Sequence, residues 1–218
     1  SSDDDDCIIS YNEGPVGGVS VISYSTFNFE GGQIVGNKST VISNYQHNVG
    51  GVYCETSNMN MSGNALVSLN RGIVGGISFY GYSNNDWGNL KIDGGRITQN
   101  TSLANSTNNL PDYACGGLYI RYYAKTTMTG GEITNNVGRF GGVCNVYYST
   151  FTMNGGKISR NRCNYSHDRN SVAGVYNDYY FYMNGGEISY DYAQNDDKSE
   201  MQYGSAGVVT YGTFAMNG

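Results

Sequence analysis

Two glycine pairs alternate along this chain, and this recurrence constrains its fold more than any other feature. The first pair has the pattern Gly-Gly-x-Ile and begins at Gly31, Gly94, Gly130, Gly155 and Gly185. The second is followed by Val, Ile or Leu and begins at Gly17, Gly50, Gly75, Gly116 and Gly141, with variants at Ala173 and Ala206. Glycine permits corners where φ is positive or where backbones approach closely. Corners that recur in this way predict a solenoid, whose shortest repeat, from Gly50 to Gly75, is 25 residues.

Apolar and polar residues alternate at fixed distances from these corners, as they do in β-strands. The predicted inward positions two residues before the Gly-Gly-x-Ile corner are Phe29, Met61, Ile92, Met128, Met153, Met183 and Met216. Those four residues before it are Phe27, Met59, Leu90, Thr126, Phe151, Phe181 and Phe214, and those three residues after its first glycine are Ile34, Leu66, Ile97, Ile133, Ile158 and Ile188. Two residues after the first residue of the other corner, they are Val19, Val52, Ile77, Leu118, Val143, Val175 and Val208. One coil cannot bury these side chains, but stacked coils can.

The sequence therefore predicts an all-β chain that forms a right-handed parallel β-helix of about seven coils. Right-handed winding is expected because parallel crossover connections are almost always right-handed. We expect residues 1–16, which include the acidic run Asp3–Asp6, to be a lead-in, and residues 17–218 to be a single array that ends partway through a repeat.

Polar residues also recur at equivalent positions. Arg96, Glu132, Lys157 and Glu187 alternate in sign, which favours one stacking register. Asn37, Asn100, Asn136 and Asn161 share one turn position, where amides of successive coils can form hydrogen bonds with one another. N-glycosylation is the competing interpretation, since acceptor sequences begin at Asn37, Asn60, Asn100, Asn105 and Asn164. Asn136 and Asn161 lack that sequence, which favours the ladder.

Tyrosines recur after the second type of corner. Tyr24, Tyr82, Tyr123, Tyr148 and Tyr180 stand seven residues beyond it. Together with the single tryptophan, Trp87, the last four are candidate binding residues for a sugar or a protein surface. The alternatives are that the tyrosine rings stack only on each other, and that Trp87 covers the coil below it.

Composition narrows the possible functions. The net charge is −6 and no basic stripe is present, so a nucleic-acid partner is not expected. No apolar run approaches the roughly 20 residues of a membrane-spanning helix. The five cysteines form no Cys-x-x-Cys pair, so we expect no metal and no cofactor. Their odd number leaves at least one thiol free or paired outside the chain, and their pairing is open.

Catalytic residues do not align on the predicted outward positions. Asp178 has no matching acid in adjacent coils, and His47 and His167 are isolated loop histidines. A polysaccharide lyase or glycoside hydrolase needs paired carboxylates, or acidic calcium ligands beside a basic residue. We therefore expect the chain not to be an enzyme.

Segments such as residues 152–161, Thr-Met-Asn-Gly-Gly-Lys-Ile-Ser-Arg-Asn, resemble the Gly-Gly repeats of right-handed β-helix surface proteins. These are adhesin-like and autotransporter-like proteins with a pectate-lyase-like solenoid. The resemblance covers nearly the whole chain, although residues 63–66 depart from the pattern. It implies an extracellular or cell-surface location and speaks for the fold more than for function.

Function is therefore expected to be structural and non-enzymatic, in a filament subunit or a stalk segment. The chain stops within a repeat at residues 216–218, so end-to-end self-association or a longer chain of the same fold is expected. The alternative is an adhesin-type solenoid that binds glycans or host and cell-surface proteins through the tyrosines and the inserted loops. A polysaccharide-degrading enzyme ranks third.

Overall fold

A computed structural model describes residues 7–41, 47–83, 88–103, 114–163, 171–193 and 205–218, and these ranges contain strands and turns but no helix. The strands are β1 Ile8–Ser10, β2 Glu13–Gly14, β3 Val19–Val21, β4 Thr26–Phe29, β5 Gln33–Val35, β6 Lys38–Ser39, β7 Val52–Glu55, β8 Asn58–Met61, β9 Leu66–Ser68, β10 Arg71–Gly72, β11 Ile77–Tyr80, β12 Asn89–Ile92, β13 Arg96–Thr98, β14 Thr101–Ser102, β15 Leu118–Arg121, β16 Lys125–Met128, β17 Glu132–Thr134, β18 Val137–Gly138, β19 Val143–Asn145, β20 Thr150–Ser159, β21 Arg162–Cys163, β22 Val175–Asn177, β23 Tyr180–Ser189, β24 Tyr192–Ala193, β25 Val208–Thr210 and β26 Thr213–Met216.

All described strands pair in parallel and form three sheets. The first sheet has twelve strands, in the order β1-β5-β9-β13-β17-β20-β16-β12-β8-β4, with β23 paired to β20 and β26 paired to β23. The second sheet has the order β2-β6-β10-β14-β18-β21-β24, and the third β25-β22-β19-β15-β11-β7-β3. Each strand therefore pairs with its equivalents in the preceding and following repeats. The chain is an all-β, solenoid-like stack.

The two types of glycine corner serve different purposes. In Gly-Gly-x-Ile the second glycine has a positive φ, for example 77° at Gly131. In the other corner the glycine is needed for close approach, because a Cβ atom on Gly76 would collide with the carbonyl oxygen of Gly117 in the next coil. Both uses come from the absence of a side chain.

The register confirms that equivalent residues stack. Met128, Met153, Met183 and Met216 pair in sequence across β16, β20, β23 and β26. The same holds for the phenylalanine column from Phe151 to Phe214 and for the column that starts at Val19. These side chains form the main core except for Met216 in the last coil, which is 73% exposed, whereas Met128, Phe151 and Ile158 are inaccessible to solvent. Burying each large apolar side chain contributes about 1.5–3 kcal/mol.

One predicted inward position is wrong. Val67, not Leu66, pairs with both Ile34 and Ile97, whereas Leu66 pairs with Gln33 and Arg96. The turn after Met61 is one residue longer than the equivalent turn after Phe29. Gly63 takes a φ of 58° within this longer turn. The extra residue shifts the next strand by one position relative to the corner, so Val67 rather than Leu66 faces inward.

A second apolar cluster lies on the outer side of the third sheet. Tyr53, Tyr119, Cys144 and Tyr176 alternate with the inward residues of their strands, yet they are buried. They pack with the column Val49, Val74, Cys115, Phe140 and Val172, whose members bridge from coil to coil. The third sheet is therefore apolar on both faces.

Candidate functional site

A ladder of amide side chains runs through the turn between the first and second sheets. Its members are Asn12, Asn37, Asn70, Asn100, Asn136 and Asn161, and it ends at Asp191. In a typical step, the backbone N–H and the Nδ2 of Asn100 both donate to Oδ1 of Asn136, each at 3.0 Å. Nδ2 of Asn136 then donates to the carbonyl of Ile97 at 2.9 Å and to Oδ1 of Asn161 at 3.1 Å.

This geometry confirms that the asparagines at the predicted turn position stack. Asn37 and Asn100 are inaccessible to solvent, and their Nδ2 atoms are both engaged in the ladder. A glycan on either nitrogen would require the ladder to open. Asn60 is half-buried, and its Nδ2 donates to Oδ1 of Asn28 at 2.8 Å. Asn105 and Asn164 lie outside the described residues.

Three ladder members were missed from the sequence. Asn12, Asn70 and Asp191 each stand three residues after the inward aliphatic residue of their strand, as the other members do. No glycine corner precedes Ile9, so the count does not reach Asn12. Asn70 is not predicted because the count places Leu66 rather than Val67 inward, and Asp191 is not predicted because it is not an asparagine.

Asp191 differs from the amides before it. Its Oδ1 accepts hydrogen bonds from the backbone N–H of Asn161 at 2.8 Å and from Nδ2 of Asn161 at 3.0 Å. Its Oδ2 is buried and has no hydrogen-bond partner among the described residues. Burial raises the pKa of Asp191 to about 6, against the lowering effect of the two bonds from Asn161.

The ladder pattern shows what the ionised form of Asp191 lacks. Each amide from Asn37 to Asn161 donates from Nδ2 to a carbonyl of the preceding coil, as Asn161 does to Ile133 at 2.9 Å. By the same offset, the carbonyl that corresponds to Asp191 is that of Ile158. An ionised carboxylate offers no proton to it, whereas a protonated one does.

Tyrosine pairs occupy a different turn, between the third and first sheets. The rings of Tyr122 and Tyr147 stack with centroids 5.0 Å apart and planes 13° apart. The rings of Tyr123 and Tyr148 stack in the same way at 5.0 Å and 10°. All four residues have positive φ values, 50° and 61° in one turn and 52° and 64° in the next. Such values are uncommon for residues other than glycine, asparagine and aspartate.

The membership of the tyrosine column differs from the prediction. Tyr123 and Tyr148 stack as expected, but the ring that packs edge-on against Tyr148, at 5.0 Å, is that of Tyr179. Tyr180 instead pairs with Thr150, because the turn that precedes it is two residues shorter than the turn before Thr150.

In the neighbouring pair, Tyr80, which is not a member of the predicted column, packs against Tyr122 at 5.1 Å. Tyr82 is exposed, and Trp87 lies outside the described residues. Because the stacked rings cover one another's faces, the column presents ring edges and hydroxyl groups to solvent.

A buried arginine lies beside the tyrosine turn. The guanidinium carbon of Arg121 is 4.3 Å from the ring centroid of Tyr122 and 4.9 Å from that of Tyr80. Arg121 is only 5% exposed, so these cation–π contacts are shielded from water. The cation is therefore close to the Tyr122–Tyr147 pair.

Charged and hydroxyl side chains line a groove on the outer face of the first sheet. The predicted charge column is confirmed in register, with Arg96 paired to Glu132 and Glu132 to Lys157. Lys157 and Glu187 form an ion pair at 3.1 Å. The neighbouring Ser189 hydroxyl and Lys157 ammonium lower the pKa of Glu187. The groove, of about 310 Å³, crosses three coils and is also lined by Thr98 and Thr134.

Four of the five cysteines are buried. They are Cys54, Cys115, Cys144 and Cys163, whereas Cys7 is exposed. Burial raises the pKa of Cys54 and Cys115 to about 12, so their reactive thiolate forms are scarce.

Neither a metal site nor a membrane-spanning helix is found in the described part of the chain. Within those ranges, no three His, Cys, Asp or Glu side chains gather closely enough to hold a metal ion. A search of the same ranges found no helix of the length and hydropathy that crossing a bilayer requires. His47 packs edge-on against Tyr53 at 4.7 Å.

Comparison with known proteins gave no relative. No protein-family model, no curated protein and no solved structure matches this chain. The interpretation of function therefore depends on the geometry described above.

Proposed function

We propose that this chain is a right-handed parallel β-helix of the adhesin-like, autotransporter-like surface type with a structural, non-enzymatic role. The observation that carries the proposal is the buried amide ladder, which continues without interruption from Asn12 to Asp191. A ladder of this kind fixes the register of each coil on the next and so makes the stack a stiff rod.

Outward side chains support the same interpretation. Lys157 and Glu187 pair between coils, Tyr123 stacks on Tyr148, and Nδ2 of Asn184 donates to Oδ1 of Asn154 at 2.8 Å. Each of these contacts joins a residue to the equivalent position of the adjacent coil. A rod whose surface groups also join its coils suits a stalk segment or a filament subunit outside the cell or at its surface.

Electron microscopy and sedimentation of the purified chain over a range of concentrations test this proposal. A filament subunit gives rods whose length grows with concentration by end-to-end addition. A stalk segment gives rods of one length, and labelling of intact cells of the source organism with an antibody to the chain then locates it on the surface. Compact particles that are not rods, or a chain confined to the cell interior, would contradict the proposal.

An adhesin-type binding role is the second candidate, and the exposed tyrosine turn favours it. The edges and hydroxyls of Tyr123 and Tyr148 form a line that a sugar or protein surface can contact. A glycan array probed with the natural chain, Tyr123→Ala and Tyr148→Ala tests this role. Binding that both variants lose, and that a Tyr11→Ala control at another exposed position keeps, would support it.

A further inference from the structure

We propose that Tyr123 and Tyr148 form an oxidative cross-linking site, at which a one-electron oxidant joins the two rings as dityrosine. The product would be a covalent bond between adjacent coils. This proposal goes beyond the structural role and does not depend on it, because the cross-link requires only the geometry of the turn.

The backbone holds these two rings together. Their centroids are 5.0 Å apart and their planes differ by 10°. Strand pairing fixes the turn on both sides, through Ile120 with Asn145 and Lys125 with Thr150. Strand pairing therefore keeps the two backbone positions side by side, and the rings stack from there. Holding two reactants side by side in this way favours reaction between them over reaction between molecules.

Backbone strain offsets part of what ring stacking contributes at these positions. A left-handed conformation costs a residue with a side chain roughly 1–2 kcal/mol relative to glycine, and each turn contains two such tyrosines. Each aromatic contact between the turns returns about 0.5–1.5 kcal/mol. Stacking therefore leaves little net stabilisation, and local strain of this kind is also a feature of functional sites.

Accessibility favours these phenols over the thiols. Tyr148 is 52% exposed, whereas four of the five cysteines are buried. Oxidation of cysteine proceeds through the thiolate, which burial disfavours. Cys7 is the exposed thiol and is best replaced by serine before the test.

The neighbouring pair provides an internal comparison. Tyr122 and Tyr147 stack at the same 5.0 Å, but the Arg121 guanidinium carbon is 4.3 Å from the Tyr122 ring. A nearby cation opposes the removal of an electron from the ring. The Tyr123–Tyr148 pair is therefore expected to react first.

The reaction balances with a peroxidase and hydrogen peroxide as oxidant. Each tyrosine loses one electron and its phenolic proton, which gives two phenoxyl radicals. A carbon–carbon bond forms between ring carbons ortho to the two oxygens, and each displaced ring hydrogen returns to a phenol oxygen as aromaticity is restored. The two electrons and two protons reduce one hydrogen peroxide to two waters.

The test treats the full chain carrying Cys7→Ser with a haem peroxidase and hydrogen peroxide, followed by trypsin and mass spectrometry. Cleavage after Arg121 and Lys125 releases residues 122–125, and cleavage after Arg139 and Lys157 releases residues 140–157. We expect these two peptides to be joined with the loss of two hydrogens. The yield should not depend on protein concentration.

Matched variants assign the bond. Tyr148→Phe and, separately, Tyr123→Phe are expected to lose the Tyr123–Tyr148 bond, which peptide fragmentation distinguishes from a Tyr122–Tyr147 bond in the same two peptides. Tyr82→Phe, at an exposed position outside the stacked pairs, is expected to keep it. Circular dichroism confirms that each variant is folded. Free N-acetyltyrosine in the same reaction confirms that the oxidant is competent. Absence of the 123–148 bond in folded protein under those conditions, or cross-links only between molecules, would overturn the proposal.

Discussion

Two turns recur along this molecule, and in several coils both contain residues other than glycine with positive φ. In the asparagine turn, one strained residue, such as Gln99, Asn135 or Arg160, precedes a buried amide whose hydrogen bonds continue into the next coil. In the tyrosine turn, at residues 122–123 and 147–148, two strained residues stand side by side and their rings stack between coils. Buried hydrogen bonds therefore offset the backbone strain of the asparagine turn, whereas the tyrosine turn has ring contacts at the surface.

The difference between the two turns shows that the recurrence of a turn does not by itself indicate how much that turn stabilises the stack. Stacked amides in the interior satisfy one another where no water is available, so each step is costly to break. Stacked rings at the surface are partly solvated and contribute less. The two turns should therefore respond very differently to substitution.

The largest effect is expected from Asn136→Ala. This change removes the acceptor for two N–H groups of Asn100 and the donor to the Ile97 carbonyl, all of them buried. We expect a loss of about 3–5 kcal/mol in the free energy of unfolding, measured with urea. Asn154→Ala, at an exposed outer amide, is the control and should cost within about 0.5 kcal/mol. Equal losses of stability for the two variants would show that the buried amide ladder contributes no more than the exposed amide pair Asn154–Asn184.

Asp191→Asn should extend the inner ladder by one member. The pKa of Asp191 is raised to about 6 from an ordinary 3.8, so its ionised form is disfavoured in the folded state. The natural chain should therefore lose stability as the pH rises from about 4 to about 6, and the variant should not. At neutral pH we expect the variant to be more stable by about 1–2 kcal/mol, after allowance for partial solvent screening.

Urea midpoints for both chains between about pH 4 and pH 8 measure this difference. The predicted signature is a gap between the two chains that opens with rising pH. A gap of constant size, or a less stable variant at neutral pH, would show that the Ile158 carbonyl does not destabilise the ionised carboxylate of Asp191.

Leu69→Asn tests the strain of the asparagine turn itself. Leu69 is exposed and has a φ of 57°, a conformation that asparagine tolerates better than leucine. We expect a gain of about 0.5–1 kcal/mol in thermal or urea unfolding. Leu66→Asn, three residues away in β9, is the comparison and should bring no gain, since Leu66 has no positive φ. A loss at Leu69 would mean that its side chain packs more strongly than its exposure indicates.

Tyr148→Asn should have the smallest effect. The substitution relieves left-handed strain but removes one stacked ring, and the two changes nearly cancel, to within about 1 kcal/mol. Thermal unfolding measures the balance. A loss comparable to that of Asn136→Ala would show that the rings hold the turn, and would place the tyrosine turn beside the asparagine turn as a source of stability.

Much of the fold could be predicted because each glycine corner gives a fixed position from which the residues of its coil can be counted. The Met128–Met153–Met183 column and the pairing of Arg96 with Glu132 both follow from that count. The count failed where turn lengths change. One extra residue displaced Leu66, and a shorter turn placed Tyr179 rather than Tyr180 beside Tyr148.

The second apolar cluster could not be predicted for a different reason. Tyr53, Tyr119 and Cys144 occupy outward strand positions, where the alternation looks the same whether a face is covered or exposed. Their burial depends on packing against the column from Val49 to Val172, whose members stand one residue before each corner. The repeat shows that this column exists, but not which face of the sheet it packs against.

Engineered disulfides test most directly the central claim that equivalent residues of consecutive coils lie beside one another. In a Cys7→Ser background, Thr127→Cys with Thr152→Cys joins an outward pair in register, and Thr127→Cys with Asn154→Cys joins positions two residues out of register. Parallel neighbours lie about 4.8 Å apart, within the range that a disulfide can span. We expect rapid intramolecular oxidation of the first pair and little of the second. Equal rates, or faster closure of the second pair, would contradict the stacking of equivalent residues.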